Sequence, residues 1–417
     1  MLRPRPLLLQ QPRAATEGLA ALINSLPDSV RHFSLGAGGE SGQPHSIDVD
    51  VEFALPPRLA ALELHAVRSL HCHFPSSLTS LTLANLGPKP SMSASSEPSR
   101  WFAPPFTADL TAPLRELRLL NWDPCWPVAP LPHSLVHLHV TYKGVWGSVY
   151  THDLAPLPCA LETLELSSRG GAEVHPVLGQ LPQRLRVLHL QQVSDFNCAL
   201  GPLPASLTSL SLGQRFTHAL GDLPESLTAL RMADGPCDRP LGRLPCRLRV
   251  LDLQDRLVFN HAPGALPATL RELRLSEAYD HPLQALPPAL QVLALGDAFQ
   301  HQLQPDLPHV LPPQLPATLR ELRLGRAYDH PLRALPPTLE VLVLGDAFQQ
   351  ELQPDLPDTL REFQYGYPHA LPLREIECVL INGFRATARF LGGNDGGGGK
   401  QGQQSGVTIW NWQATIE

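Results

Sequence analysis

Histidine offers the most chemistry in this sequence, since 18 of its 417 residues are histidine. His139, Glu165 and His189 hold the same place in three successive copies of the pattern L-x-x-L-x-L, so a fold that stacks those copies would set them side by side. Imidazole and carboxylate groups in a row can bind a divalent cation such as zinc. The alternative is that they hydrogen-bond to one another and to water, as neighbouring polar side chains on a sheet do. We favour the second interpretation and predict neither a metal nor a cofactor.

Other catalytic constellations are missing from the sequence. It contains no nucleophile-base-acid motif, no G-x-x-x-x-G-K-[ST] phosphate loop, no H-E-x-x-H and no C-x-x-C. The glycine run near Gly396 is of low complexity and does not lie between a predicted strand and a predicted helix. We therefore predict that the protein is not an enzyme.

The charge balance argues against two classes of partner. Lysine and arginine number 32 against 39 aspartates and glutamates, for a net charge of −7, and only 17% of residues are charged. Binding to nucleic acid normally needs a basic excess gathered on one face. No apolar run approaches the roughly 18 to 20 residues that span a bilayer. We predict a protein that contacts neither nucleic acid nor membrane.

The cysteines indicate the compartment. There are seven, an odd number, scattered from Cys72 to Cys378. A disulfide framework in a secreted protein is usually even and regularly spaced. This usage predicts a reducing, cytoplasmic environment.

A short repeat must position the candidate residues. A proline, usually preceded by leucine, is followed by x-x-L-x-x-L-x-L or a close variant in fifteen units. The units open at Pro27, Pro56, Pro75, Pro113, Pro132, Pro158, Pro182, Pro204, Pro224, Pro245, Pro267, Pro287, Pro316, Pro336 and Pro357. From Pro182 onward, all but one of the spacings are 20 to 22 residues, which is within the range of leucine-rich repeats. Proline fixes φ and donates no N–H, so it suits the turn that enters a strand.

Each unit predicts one short strand. Leu210 and Leu212 are two residues apart and point to one side, whereas Ser209 and Ser211 point to the other. We therefore predict a repeat solenoid with one parallel β-strand per unit, leucines inward, β-strand caps and little helix. The variable residues form rows along the concave face, where exposed valines alternate with charged units. Those valines indicate either contact with a partner or the general preference of β-branched residues for strands. The residues that we expect to contact a partner there are His139, Glu165, His189, Arg231, Asp252, Glu272, Arg274, Val292, Glu321, Arg323, Val341 and Val343.

The later units add an aromatic residue followed by a small polar one, as in Phe196-Asn197, Phe259-Asn260 and Tyr279-Asp280. With this addition, the pattern L-P-x-S-L-x-x-L-x-L-G-x-x-F-N-x-x-L resembles the FNIP repeat, a variant of the leucine-rich repeat. The resemblance extends from about Leu181 to Tyr365 and is weaker from Leu26 to Gln180. It departs from the family in that Phe-Asn itself occurs only twice and the family's isoleucine is not kept. The resemblance implies a leucine-rich-repeat fold.

The expected function follows from that architecture, because open repeat arrays present extended surfaces to other proteins. We predict a monomeric, non-enzymatic scaffold that binds a protein partner through its concave β-face. The alternative is a substrate-recognition subunit of a ubiquitin ligase. The segment before the first unit is too short for the F-box that some members of the family carry, so this alternative has no direct sequence support.

The sequence also divides into segments. We predict an N-terminal segment at 1–25, degenerate repeats at 26–180 with a loop insertion at 85–110, and FNIP-like repeats at 181–373. A β-hairpin cap at 374–391 is predicted from Asn382-Gly383, which suits a type I′ turn. A glycine-rich linker at 392–406 and a C-terminal strand or tail at 407–417 follow. The alternation of apolar and acidic residues from Ile47 to Phe53 predicts an additional capping strand.

Overall fold

The fold comes from a computed structural model of the 417-residue chain. It describes residues 21, 23–35, 52–65, 71–84, 112–123, 130–143, 149–169, 173–192, 196–213, 216–218, 220–232, 240–254, 259–283, 285–303, 315–332, 335–345, 347–350, 356–365, 380–381 and 384–385. The chain divides into two compact units, Met1–Ser226 and Leu227–Glu417.

The first unit contains twelve short strands. They are β1 (His32–Leu35), β2 (Glu52–Ala54), β3 (Ala61–His65), β4 (His71–His73), β5 (Ser80–Ala84), β6 (Glu116–Trp122), β7 (His137–Lys143), β8 (Val149–Asp153), β9 (Thr163–Arg169), β10 (Glu173–Val177), β11 (Val187–Gln192) and β12 (Ser209–Leu212). Eight of them form one parallel sheet in the order β1-β3-β5-β6-β7-β9-β11-β12. Two more parallel pairs, β2 with β4 and β8 with β10, lie outside that sheet.

The second unit repeats the arrangement. Its strands are β13 (Ala229–Met232), β14 (Val250–Asp252), β15 (Glu272–Arg274), β16 (Val292–Leu295), β17 (Glu321–Leu324), β18 (Val341–Leu344), β19 (Glu362–Tyr365), β20 (Leu380–Ile381) and β21 (Phe384–Arg385). Strands β13 to β19 pair in parallel and in chain order. The predicted parallel solenoid with one sheet strand per repeat is confirmed. The helical residues among those described are 21, 23 and 24, and the N–H of Ser25 donates to the carbonyl of Ala21.

Leucines build the core of both units. The three leucines of one repeat, Leu207, Leu210 and Leu212, are each 0% exposed. Those of another repeat, Leu270, Leu273 and Leu275, are at most 1% exposed. The pairing register places like on like, with Leu188 opposite Leu210 and Leu273 opposite Leu293. Each leucine therefore packs on the leucine of the next repeat, as the two-residue period predicts.

The repeat proline closes a turn before each strand. Its carbonyl accepts the N–H of the leucine three residues later, for example Leu207 to Pro204 at 3.0 Å and Leu270 to Pro267 at 3.0 Å. The chain thus reverses into the strand with its first leucine already directed inward. The proline is used for its fixed φ, since the bond involves only its carbonyl.

The aromatic half-unit forms a second layer of the core. Phe196 and Phe216 stack at a centroid distance of 6.1 Å in the first unit. In the second unit Tyr279, Phe299, Tyr328 and Phe348 stack in series at 6.1 to 6.4 Å, with ring planes within 9° of parallel. All six side chains are buried. The aromatic position is a structural one.

Three sequence predictions on extra strands have mixed outcomes. Of the strand predicted over Ile47 to Phe53, only residues 52–53 are described, and they belong to β2, which pairs with β4 rather than with the end of the main sheet. The hairpin pairing is present, because Leu380 lies opposite Arg385 and Ile381 opposite Phe384 in an antiparallel pair. The extent of that cap, the insertion at 85–110, the linker and the tail lie outside the described residues.

Candidate functional site

The candidate site is the outward face of the strands. We call it the open face: the two variable residues that each strand directs away from the leucine core. All twelve residues predicted to contact a partner lie on this face and are partly exposed. None of them is fully solvated, because side chains on adjacent strands cover one another at a spacing of about 4.8 Å.

In the first unit the structure brings the predicted histidines together. His139 and His189 lie on β7 and β11, on either side of Glu165 on β9, in direct register. Nδ1 of His139 is 2.9 Å from one oxygen of Glu165, and Nδ1 of His189 is 3.5 Å from the other. The carboxylate can only accept, so His139 donates its Nδ1–H to Glu165, while Nδ1 of His189 lies within ion-pair distance of the same carboxylate.

Hydroxyl groups complete this cluster. Nε2 of His139 is 3.2 Å from Oγ1 of Thr141, and Nε2 of His189 is 3.0 Å from Oγ of Ser209. The Oγ of Ser167 donates to Thr141 at 3.0 Å. With Nδ1 protonated, Nε2 of a neutral ring accepts from the hydroxyl. The result is a hydrogen-bonded network across four strands.

The order hydroxyl, imidazole, carboxylate in Ser209, His189 and Glu165 is also that of a serine hydrolase. Acyl transfer further needs N–H donors aimed at a developing oxyanion. Strands β9 and β11 are each paired on both sides, so their backbone N–H groups serve the sheet. The geometry fits a surface network better than a catalytic centre.

A metal fits the network no better. Among the described residues, no group of three or more histidine, cysteine, aspartate or glutamate side chains is arranged to hold a metal ion. The histidine Nδ1 atoms face the carboxylate instead of converging with it on a common point. The polar interpretation of this row is therefore the one that the geometry favours.

In the second unit the open face alternates charged and apolar strands. The register sets Glu272 opposite Val292, Val292 opposite Glu321, and Glu321 opposite Val341. The parallel row runs from Arg274 through Ala294 and Arg323 to Val343. The alternation predicted from the sequence is thus laid out across neighbouring strands.

The charges on this face pair with one another. Glu321 contacts Nε of Arg323 at 2.5 Å and lies 3.8 Å from Arg274, two strands away. Arg231 stands beside Asp252 in register, and Asp252 beside Arg274. Surface pairs of this kind add little stability, about 0 to 1 kcal/mol, so they hold side chains in place more than they hold the fold together.

Comparison with known proteins bears on the fold. No protein-family model matches the chain, and no curated protein sequence matches it. Among solved structures, CroV588, described as a novel circular LRR protein, is 21% identical with a TM-score of 0.54 over 86% of this chain and 59% of its own. YopM from Yersinia enterocolitica WA-314 is 19% identical with a TM-score of 0.46, covering 85% of this chain and 80% of that one.

The fold is a leucine-rich-repeat solenoid. This chain spans 59% of the length of CroV588. At such low identity the likeness concerns the fold alone, so the FNIP resemblance rests on the sequence pattern. Neither neighbour supports the ubiquitin-ligase alternative. In the part of the chain that is described, no helix is both long and apolar enough to cross a membrane.

One recurrent group escaped the sequence analysis. A serine or threonine two residues after the repeat proline donates to carbonyl oxygens of the preceding repeat. Ser206 bonds to Gln183 and Leu185 at 2.8 and 2.6 Å, and Thr338 to Ala317 and Leu319 at 2.6 and 2.8 Å. We call this series the hydroxyl ladder; its other members are Ser77, Ser134, Ser226, Thr269, Thr318 and Thr359. In the sequence, the serine of the L-P-x-S-L motif marks the position of this hydroxyl group.

Proposed function

We propose that the protein is a non-enzymatic scaffold that binds another protein through the open face. The observation that supports this most directly is the open face of the second unit. There Val292, Val341 and Val343 remain partly exposed between charged strands, although a strand face without a partner needs no apolar side chains. A rigid sheet that presents apolar and charged positions in fixed alternation suits recognition by shape and charge.

We infer further that the repeats are of the FNIP type and that the protein works in a reducing compartment. The buried aromatic stack supports the first inference, because it gives the aromatic of the repeat a fixed structural role. The free cysteines Cys159, Cys198 and Cys246 are consistent with the second.

The test is a comparison of bound proteins between two variants of the full chain. Val292→Lys with Val341→Lys places a positive charge between the glutamates that flank each valine, Glu272 and Glu321 for the first and Glu321 and Glu362 for the second. We expect the melting temperature to stay within about 2 °C of wild type, because the new lysines face carboxylates.

The control is Glu277→Lys, an exposed position outside the strands. Proximity labelling followed by quantitative mass spectrometry should recover a set of proteins with wild type and the control that the double variant loses. If all three chains recover the same proteins in the same amounts, the open face is not the binding surface.

A further inference from the structure

The hydroxyl ladder has exceptions that point to a second binding surface. At its position, two residues after the repeat proline, Arg58, Arg184 and Arg247 replace serine or threonine. All three are exposed. Each forgoes the backward bonds to the preceding repeat that the hydroxyl makes in eight other repeats. Interactions with the part of the fold that is described therefore do not explain the arginine.

Two further arginines close to Arg247 in the fold also have no ion pair among the described residues. Arg249 follows it across the buried Leu248, and Arg271 is the neighbour of Arg249 in the next repeat, with the N–H of Arg271 donating to the carbonyl of Arg249 at 2.7 Å. Both are exposed. Their backbones are therefore about 5 Å apart, as in adjacent strands. We call Arg247, Arg249 and Arg271 the arginine cluster.

Arginines at the position of Arg249 are paired in later repeats. Arg320, three repeats after Arg249, lies 2.9 Å from Glu340, and Arg361 lies 3.9 Å from the same carboxylate. Among the residues that the structure describes, no carboxylate lies within ion-pair distance of the arginine cluster. Three guanidinium groups without a counter-charge repel one another, which an anionic ligand would relieve.

We propose that the arginine cluster binds an acidic, extended segment of a partner protein. Guanidinium groups bind carboxylates through two parallel N–H···O bonds, and repeat neighbours at strand spacing can engage carboxylates along one extended chain. A protein segment fits better than nucleic acid, because the chain has a net charge of −7, whereas binding along a phosphate backbone needs a basic excess gathered on one face. This inference rests on the proposed function in one respect, that the partner is a protein, but it uses residues outside the open face.

The experiment is fluorescence anisotropy with the full chain and a labelled decapeptide of alternating glutamate and glycine, against a glutamine-for-glutamate control peptide. We expect binding of the acidic peptide only, weakened at higher salt because exposed charges are screened. The variant Arg247→Thr/Arg249→Thr/Arg271→Thr should weaken binding about tenfold or more, as loss of several charge-assisted bonds implies. Its melting temperature should not fall, because threonine at 247 can restore the hydroxyl ladder.

The matched control is Arg320→Thr/Arg361→Thr, which removes two arginines that already pair with Glu340. It should bind the acidic peptide as wild type does. Equal affinity of wild type and the triple variant, or equal loss in the control, would overturn the proposal. So would tighter binding of heparin or single-stranded RNA than of the peptide at the same salt concentration. A failure here with the open-face test succeeding would leave the proposed function standing.

Discussion

The hydrogen bonds of the residue that follows each aromatic explain why its side chain is short and polar. Oδ1 of Asn260 accepts the N–H of Asp280, and Oδ1 of Asp280 accepts the N–H of Gln300, so each side chain reaches the same position of the next repeat. The histidine that follows acts in the other direction: Nε2 of His281 is 2.9 Å from the carbonyl of Asn260. A carbonyl only accepts, so Nε2 carries the proton. Asparagine and aspartate serve equally because both supply the acceptor.

Two buried tyrosines depart from the aromatic pattern. The hydroxyls of Tyr279 and Tyr328 are both buried, and that of Tyr279 lacks a hydrogen-bond partner within the described residues, whereas phenylalanine occupies this place in neighbouring repeats. An unsatisfied buried hydroxyl costs about 1 to 3 kcal/mol. We expect Tyr279→Phe to raise the free energy of unfolding by roughly 1 kcal/mol, measured by urea denaturation. The reverse change in the repeat between them, Phe299→Tyr, should lower it; no difference between the two would contradict the assignment.

The same tyrosines predict sensitivity to high pH. Burial raises the pKa of Tyr279 and of Tyr328 to about 12 from the ordinary value of 10.0, although the backbone of Leu303 opposes part of the rise in the pKa of Tyr328. The folded state keeps these protons where the unfolded chain has lost them, so their contribution to stability is complete below pH 10 and declines above it. Thermal melts from pH 8 to 11 should fall more steeply for wild type than for the Tyr279→Phe/Tyr328→Phe variant. Parallel slopes would show that these hydroxyls ionise freely in the folded protein.

At the scale of the repeat, neighbouring turns are joined by the hydroxyl ladder. The hydroxyl of Thr338 donates to two carbonyl oxygens of the preceding turn. In the next repeat, the hydroxyl of Thr359 donates in the same way to the carbonyls of Pro337 and Leu339. Replacement of Thr338 by valine keeps the shape of the side chain and removes the donor. We expect a loss of about 1 kcal/mol in unfolding free energy, measured by denaturant titration. Thr79→Val, at an exterior strand-entry position where the hydroxyl donates to the carbonyl of Ala60 at 3.2 Å, should cost less.

Glycine after the strand sets how closely repeats stack. A Cβ built on Gly325 would overlap the carbonyl oxygen and carbon of Gly296 in the preceding repeat. Gly264, by contrast, has open space around it and needs glycine for its φ of 74°. We expect Gly325→Ala to cost more than about 2 kcal/mol, because neighbouring backbones must move apart, and Gly264→Ala to cost about 1 kcal/mol from φ strain. Urea unfolding of both variants would test this, and the opposite ranking would contradict the close approach.

At the scale of the whole molecule, stability is shared among stacked repeats. Leu273 is fully buried between Leu251 and Leu293 in register. Leu273→Asp leaves a carboxylate without a partner in the leucine layer, so we expect loss of cooperative unfolding and of amide protection over several neighbouring repeats. Glu272→Gln, one residue away on the open face, should melt within about 2 °C of wild type. Hydrogen exchange resolved by mass spectrometry distinguishes the two, and native-like protection in Leu273→Asp would show that the inward face is assigned wrongly.

The architecture can be predicted from the sequence, because the pattern that specifies it is local and repeated. The spacing of Leu210 and Leu212 predicts a strand, and Pro204 predicts the turn before it. Recurrence of the unit then specifies a parallel stack, which also places His139, Glu165 and His189 in one row before any contact is known.

The contacts between side chains of different repeats could not be predicted from the sequence and are seen in the folded chain. Glu165 contacts both imidazoles, and Thr338 donates to two carbonyls of the preceding repeat. Among the described residues, Arg249 and Arg271 have no carboxylate within ion-pair distance. These contacts involve residues about 20 or more apart in the chain. A side chain's partner depends on rotamer and on the exact approach of neighbouring backbones, and the repeat pattern leaves both open. The repeat period sets where each residue lies in the sheet, and the packing of side chains sets which groups are in contact.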